Sequence, residues 1–168
     1  MVLKVYERID EVSDEDKATQ SFLTLAFDLR QKSRLKAALD DGAEVGLMLQ
    51  RGGLLRGGDL LRAEDGTVIK VVSAVESVSK VTHSDPLMLM RASYHLGNRH
   101  VPLQISKDYL CYTHDHVLDE MVMGLGLHVE CIMAPFEPEG GAYGGGHKHG
   151  HDDNEEAHDH THTHQHSH

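Results

Sequence analysis

Apolar and polar positions alternate from the start of the chain. Met1 to Ile9 alternates in part and predicts a first strand. Ser21 to Arg30 then sets Leu23, Leu25, Phe27 and Leu29 on one face with period two, which predicts a second, half-buried strand. Leu35, Ala37 and Leu39 continue the alternation. Asp41-Gly42 supplies the residues of a tight hairpin turn, and Val45 to Leu49 returns. Turn signals recur at Arg51-Gly52-Gly53, Gly57-Gly58 and Asp65-Gly66. Short strands separated by glycine turns, without a helical period, predict a small all-β domain over residues 1–72.

From Val68 the pattern changes. Val68 to Val81 is rich in β-branched residues and reads as one long or two broken strands. Ser84-Asp85-Pro86 starts a helix, with a capping side chain ahead of a proline in the first turn. That helix carries Leu87, Met90, Ala92 and Tyr94, and Gly97 stands where a left-handed C-terminal cap is wanted. Val101, Leu103 and Ile105 alternate next, and Pro102 favours the edge or end of a sheet. Ser106-Lys107-Asp108 turns the chain into a strand from Tyr109 to Tyr112. A second helix follows from about Asp115, with Val117, Leu118, Met121, Val122 and Leu125 at helical spacing and Gly124 and Gly126 at its end. Leu127, Val129, Cys131 and Met133 alternate as a last strand before Pro135 and Pro138. The order strand, helix, strand, strand, helix, strand is that of a ferredoxin-like βαββαβ domain, placed at residues 73–139. The expected class is α+β: a small all-β domain, the ferredoxin-like domain, and a disordered histidine-rich tail over residues 140–168.

Composition narrows the function. The formal net charge is −11; from His147 onward one Lys stands against five Asp or Glu. Phosphate binding needs a surplus of Lys and Arg, so nucleic acid is not an expected partner, whereas an acidic surface suits cation traffic. The basic residues Arg30, Lys32, Arg34, Lys36, Arg51, Arg56 and Arg62 read as solvated strand faces. Cys111 and Cys131 show no CxxC spacing and read as small apolar strand residues. The polar start, MVLKVYERIDE, does not look like a signal peptide, and no apolar run is long enough to cross a bilayer, so a cytoplasmic location is expected.

Histidine is where the chemistry concentrates. Three imidazoles, His100, His114 and His116, fall between Gly97 and Met121, and nine of the chain's fifteen histidines lie in the last 22 residues. Neutral imidazole is the commonest protein ligand for nickel, copper and zinc. One surface imidazole holds no metal, but His100 at a helix-to-strand corner gains a second copy of itself across a twofold axis. His114 and His116 flank Asp115. In extended backbone they face the same way and can grip one ion; within a helix they diverge, and Thr113 or Asp115 merely caps the helix. His95 falls in a helix's last turn, where it suits the dipole, and His128 reads as solvated. In the tail, His147, His149, His151, His158, His160, His162, His164, His166 and His168 are interspersed with Lys, Gly, Asp, Thr, Gln and Ser. Such a segment binds several divalent ions through shifting imidazole sets and loses them as histidine protonates below about pH 6.

Together these stretches resemble a known family, the urease accessory protein UreE. The resemblance is carried by LLRGGDLL, SDPLMLMRASYHLGNRHVPLQI, THDHVLDEM, FEPEGGAYG and the histidine tail. It implies a nickel metallochaperone, a homodimer joined through its ferredoxin-like domains, with His100 of each subunit as the interface ligand and His114 and His116 as peripheral ligands. It implies a partner-binding role for the β domain, and as partners the urease accessory GTPase UreG and, through the accessory complex, apo-urease. Thr113 stands where some relatives have another histidine. Two other classes compete. A zinc hydrolase can use His-x-His, but no general base or oxyanion donors can be named here. A histidine-rich buffer for nickel, zinc or copper needs only the tail, and differs from a chaperone in having neither a folded site nor a docking surface.

Overall fold

The computed structural model describes residues 2–11 and 20–140. In the first half, β1 (Leu3–Ile9), β2 (Ser21–Leu25), a one-turn helix α1 (Phe27–Arg30), β3 (Arg34–Ala38), β4 (Glu44–Met48), β5 (Leu60–Ala63) and β6 (Val68–Ser73) follow in order. The six strands form one mixed sheet in the order β2-β6-β5-β1-β4-β3, with β1 parallel to β4 and β2 parallel to β6. Period-two alternation gives it one apolar face, where Val5, Leu23, Val45, Leu47, Leu61, Ile69 and Val71 are buried together. The Asp41-Gly42 hairpin forms as expected, Gly42 taking a φ of 90° that a side chain would resist.

The alternation from Ser21 does not continue to Arg30. The strand ends at Leu25, and the amides of Leu29 and Arg30 both donate to the Ala26 carbonyl, closing the turn of α1. The amide of Phe27 instead donates to Glu76 Oε2 at 2.9 Å. Tertiary contacts override the periodicity, because Phe27 and Arg30 have better partners inward than along the strand.

The second half holds β7 (Val75–Thr82), α2 (Pro86–Gly97), β8 (Gln104–Ile105), β9 (Tyr109–Thr113), α3 (His116–Gly124) and β10 (His128–Pro135). The stretch from Val68 is thus two strands, and they belong to different sheets. The four strands lie in the order β10-β7-β9-β8, every neighbour antiparallel. Both helices cover one face, where Leu89, Ala92, Leu96 and Val122 meet Val81, Leu110 and Tyr112. Burying each large apolar side chain there contributes about 1.5–3 kcal/mol. The strand expected at Val101–Ile105 is reduced to Gln104–Ile105, since Pro102 has no amide to donate; it forms the edge.

Leu87, Met90 and Tyr94 are not core residues of α2. They are 54%, 61% and 66% exposed, while Leu89, Ala92 and Leu96 are buried. The helix is apolar on two faces. The same inversion occurs in β10, where the alternating side Cys131 and Met133 is exposed. Its other side carries Ile132 and Ala134 into a third cluster with Val78, Cys111, Phe27 and Phe136. Phe27 and Phe136 meet edge to face, 5.2 Å apart.

That cluster joins the two halves, and beside it Arg30 is wholly buried, not solvated. Its Nη1 donates to the Leu55 carbonyl at 3.1 Å and to Glu137 Oε1 at 2.9 Å, and its Nη2 to the Phe136 carbonyl. Glu137 also accepts from the Gly57 amide at 2.7 Å, from Ser73, and from Arg56 at 3.2 Å. Gly57 has no room for a side chain, since a Cβ would lie 2.7 Å from Ser73 Oγ. The nine tail histidines and the expected disorder of residues 141–168 lie outside the described residues.

Candidate metal centre

His100 follows α2. Asp85 caps the start of that helix by accepting from the Leu87 amide at 2.9 Å, and Pro86 occupies its first turn, as the sequence predicts. Its end differs from the expectation. Gly97 is the last helical residue, and the left-handed position falls to His100, with φ 57°. The His100 amide donates to the Gly97 carbonyl at 2.9 Å and the Val101 amide to the Leu96 carbonyl at 3.3 Å, the paired bonds of a Schellman ending. Pro102, one residue further, was the signal that could have placed this cap, because proline is common just after such an end. His100 is exposed.

α3 ends in the same motif with glycine in the left-handed place. Gly126 has φ 92°, its amide donates to Met123 and that of Leu127 to Val122.

His114 and His116 stand on either side of the cap of α3. Asp115, extended at φ −149° and ψ 116°, accepts from the amides of Val117 at 2.8 Å and Leu118 at 3.1 Å. His114 lies just beyond β9 and His116 is the first helical residue. The His114 ring is engaged on one side: Nδ1 is 3.1 Å from Asp119 Oδ2 and 3.1 Å from Ser79 Oγ. Asp119, buried in the first turn of α3, accepts at Oδ1 from the Tyr112 hydroxyl at 2.6 Å. Burial, with Asp119 beside it, pushes the Tyr112 phenol far above its ordinary value, so it acts only as a neutral donor. Sequence reasoning missed Asp119. Its signal was an acid three residues before Val122, on the helix's apolar side.

His95 lies in the last turn of α2, its ring edge to face with Tyr94 at 5.4 Å. His128 opens β10 and is exposed. The structure brings His114 and Asp119 together; among the described residues no three His, Cys, Asp or Glu side chains gather as a cage for an ion. Elsewhere a cleft of about 460 Å³ opens beside Tyr6, Arg8, Lys32 and Arg51, and no histidine lines it. No described helix is long and apolar enough to cross a membrane.

Comparison with known proteins bears on this arrangement. Residues 5–74 match the family model of the UreE urease accessory protein N-terminal domain, and residues 76–168 that of its C-terminal domain. The chain belongs to the UreE urease accessory protein family. A urease accessory protein UreE of Alkalilimnicola ehrlichii is 56% identical over 144 residues, 86% of each chain. One of Pseudomonas putida strain W619 is 60% identical over 131 residues, covering 77% of this chain and 81% of the relative. One of Cupriavidus necator is 56% identical over 126 residues, covering 75% of this chain and 66% of the relative. The UreE match runs through both sheets and through the segment bearing His100, His114 and His116.

Proposed function

We propose that this UreE family member is a nickel metallochaperone, binding Ni(II) and delivering it to the urease activation complex for assembly of the urease metallocentre. The observation that carries the reading is His100: an exposed imidazole, held in left-handed backbone, beside a helix whose outward stripe of Leu87, Met90 and Tyr94 is apolar. An exposed apolar stripe favours association, and a twofold contact between copies along it pairs two His100 rings. Two imidazoles supply what a single chain's described residues do not assemble. They also leave coordination positions open, as a cargo ion needs if it is to be handed on.

On this reading residues 1–72 are the partner-binding β domain. Residues 73–139 are a ferredoxin-like domain that binds metal and joins the homodimer, supported by the element order and the β10-β7-β9-β8 sheet. His114 and His116 form a peripheral site. Residues 140–168, with His147, His149, His151, His158, His160, His162, His164, His166 and His168, gather and relay nickel. The partners are the GTPase UreG and, through the accessory complex, apo-urease, in the cytoplasm. The family name supports urease as the destination. Imidazole alone does not choose nickel, and copper is expected to bind more tightly in vitro.

A metal buffer is the second reading, favoured by nine histidines within 22 residues. Nickel titration calorimetry separates the two, on the full chain, on a chain ending at Gly146, and on that shorter chain with His100→Ala. The chaperone reading predicts one tight ion per two shortened chains, lost with His100→Ala. Loss of all tight binding on truncation would make the tail the whole metal device and overturn the assignment of His100.

A further inference from the structure

Among the described residues the His114 ring is gripped at one nitrogen only, and the grip reaches into the core. Tyr112, fully buried in β9, donates to Asp119 Oδ1 at 2.6 Å, while Asp119 Oδ2 lies 3.1 Å from His114 Nδ1. Ser79, also fully buried, stands 3.1 Å from the same Nδ1. Ser79 of β7 and Asp119 of α3 thus meet one nitrogen of one imidazole, and Tyr112 of β9 holds Asp119 from behind.

A neutral imidazole carries one proton, on either Nδ1 or Nε2, and its partners decide which. A carboxylate can only accept, so Nδ1 beside Asp119 must donate. Ser79 is able to play either part, but the charged acceptor makes the stronger bond. The proton therefore sits on Nδ1, and the lone pair is left on Nε2.

We propose that Asp119, held by Tyr112, is a positioning residue that fixes the His114 tautomer and turns Nε2 outward as a metal donor. The metal part of this rests on the reading of His114 as a nickel ligand. Carboxylates behind ligating histidines fix ring orientation and raise ligand basicity, and their loss typically costs 10- to 100-fold in metal affinity. The competing structural role is narrower: Asp119 merely favours the positive end of α3 and satisfies a buried phenol.

Asp119→Asn separates the two roles, because it keeps the volume and reverses one bond. Its oxygen still accepts from Tyr112, while its amide nitrogen donates to Nδ1 and forces the proton to Nε2. The test is the imidazole nitrogen spectrum of the ¹⁵N-labelled, metal-free full chain at about pH 8.5, where imidazoles are neutral. Comparison with His114→Ala assigns the His114 resonances.

The expected result is an Nδ1–H tautomer in the wild type and an Nε2–H tautomer in Asp119→Asn. In nickel titrations, the binding that His114→Ala weakens is expected to fall about 10- to 100-fold in Asp119→Asn. Asp119→Asn should add nothing in the His114→Ala background. A wild-type proton on Nε2 overturns the proposal without any variant, as does an unchanged tautomer in Asp119→Asn. So does unchanged nickel affinity in Asp119→Asn where His114→Ala weakens it. If His114→Ala itself leaves nickel binding intact, the peripheral site of the proposed function fails, and the metal-free tautomers still decide whether Asp119 sets the ring.

Discussion

His100 and Gly126 occupy the same place in the same helix ending, one with a side chain and one without. Left-handed backbone costs a residue with a Cβ about 1–2 kcal/mol relative to glycine, though histidine tolerates it better than most. Strain kept at one of two equivalent positions directs attention to what the side chain does there. His100→Gly should therefore raise stability by about 0.5–1 kcal/mol, after allowing for the greater freedom of glycine in the unfolded chain. Thermal unfolding of the two proteins checks this, and a lower melting temperature for the glycine variant would mean that the histidine makes a stabilising contact. At this scale the sequence showed the histidine and not its backbone. Gly97 ends the helix, but the left-handed closing turn falls at His100, and Pro102 is the residue that marks it.

At the scale of elements, the clearest departures from pattern come where tertiary partners win. Phe27 continues the period-two positions of Leu23 and Leu25, yet it leaves the strand for α1 together with Arg30. Arg30, in a cluster that reads as solvated, is 0% exposed because Glu137 lies 107 residues on and no local pattern announces it. α2 is apolar on two sides, and periodicity alone does not say which side packs on its own sheet. Removing Glu137 should leave Arg30 buried without its counter-ion, so Glu137→Gln is expected to lose roughly 3 kcal/mol at neutral pH. Desolvation alone would raise the Glu137 carboxyl. The bonds from Ser73, the Gly57 amide and Arg56, with the charge of Arg30, outweigh it and hold the group below its ordinary 4.5. A carboxyl group lowered by folding stabilises above its unfolded pKa, and that stabilisation is lost as pH falls through the folded value. Denaturant unfolding from pH 7 downward should therefore show wild-type stability falling from about pH 4.5, with a shallower fall in Glu137→Gln. Equal slopes would contradict the clamp.

At the scale of the whole molecule, two sheets meet around Phe27, Val78 and Phe136, and the described candidate histidines, His100, His114 and His116, lie in the second half, at helix ends instead of in a cleft. The strand and helix order was legible from period and punctuation apart from the one-turn α1, because each longer element has its own turn chemistry at its boundary. The pairing of sheets was not, since it depends on residues such as Phe136 that fall outside any periodic run. Nor did spacing reveal the Asp119 grip on His114, which crosses from strand to helix. The central claim is that His100 carries nickel on its way to urease. The most direct test is urease activity in cells starved of nickel that produce either the wild-type chain or His100→Gly, with protein levels matched. Low urease activity with His100→Gly, restored by excess nickel, is the predicted result; full activity in scarce nickel would contradict it.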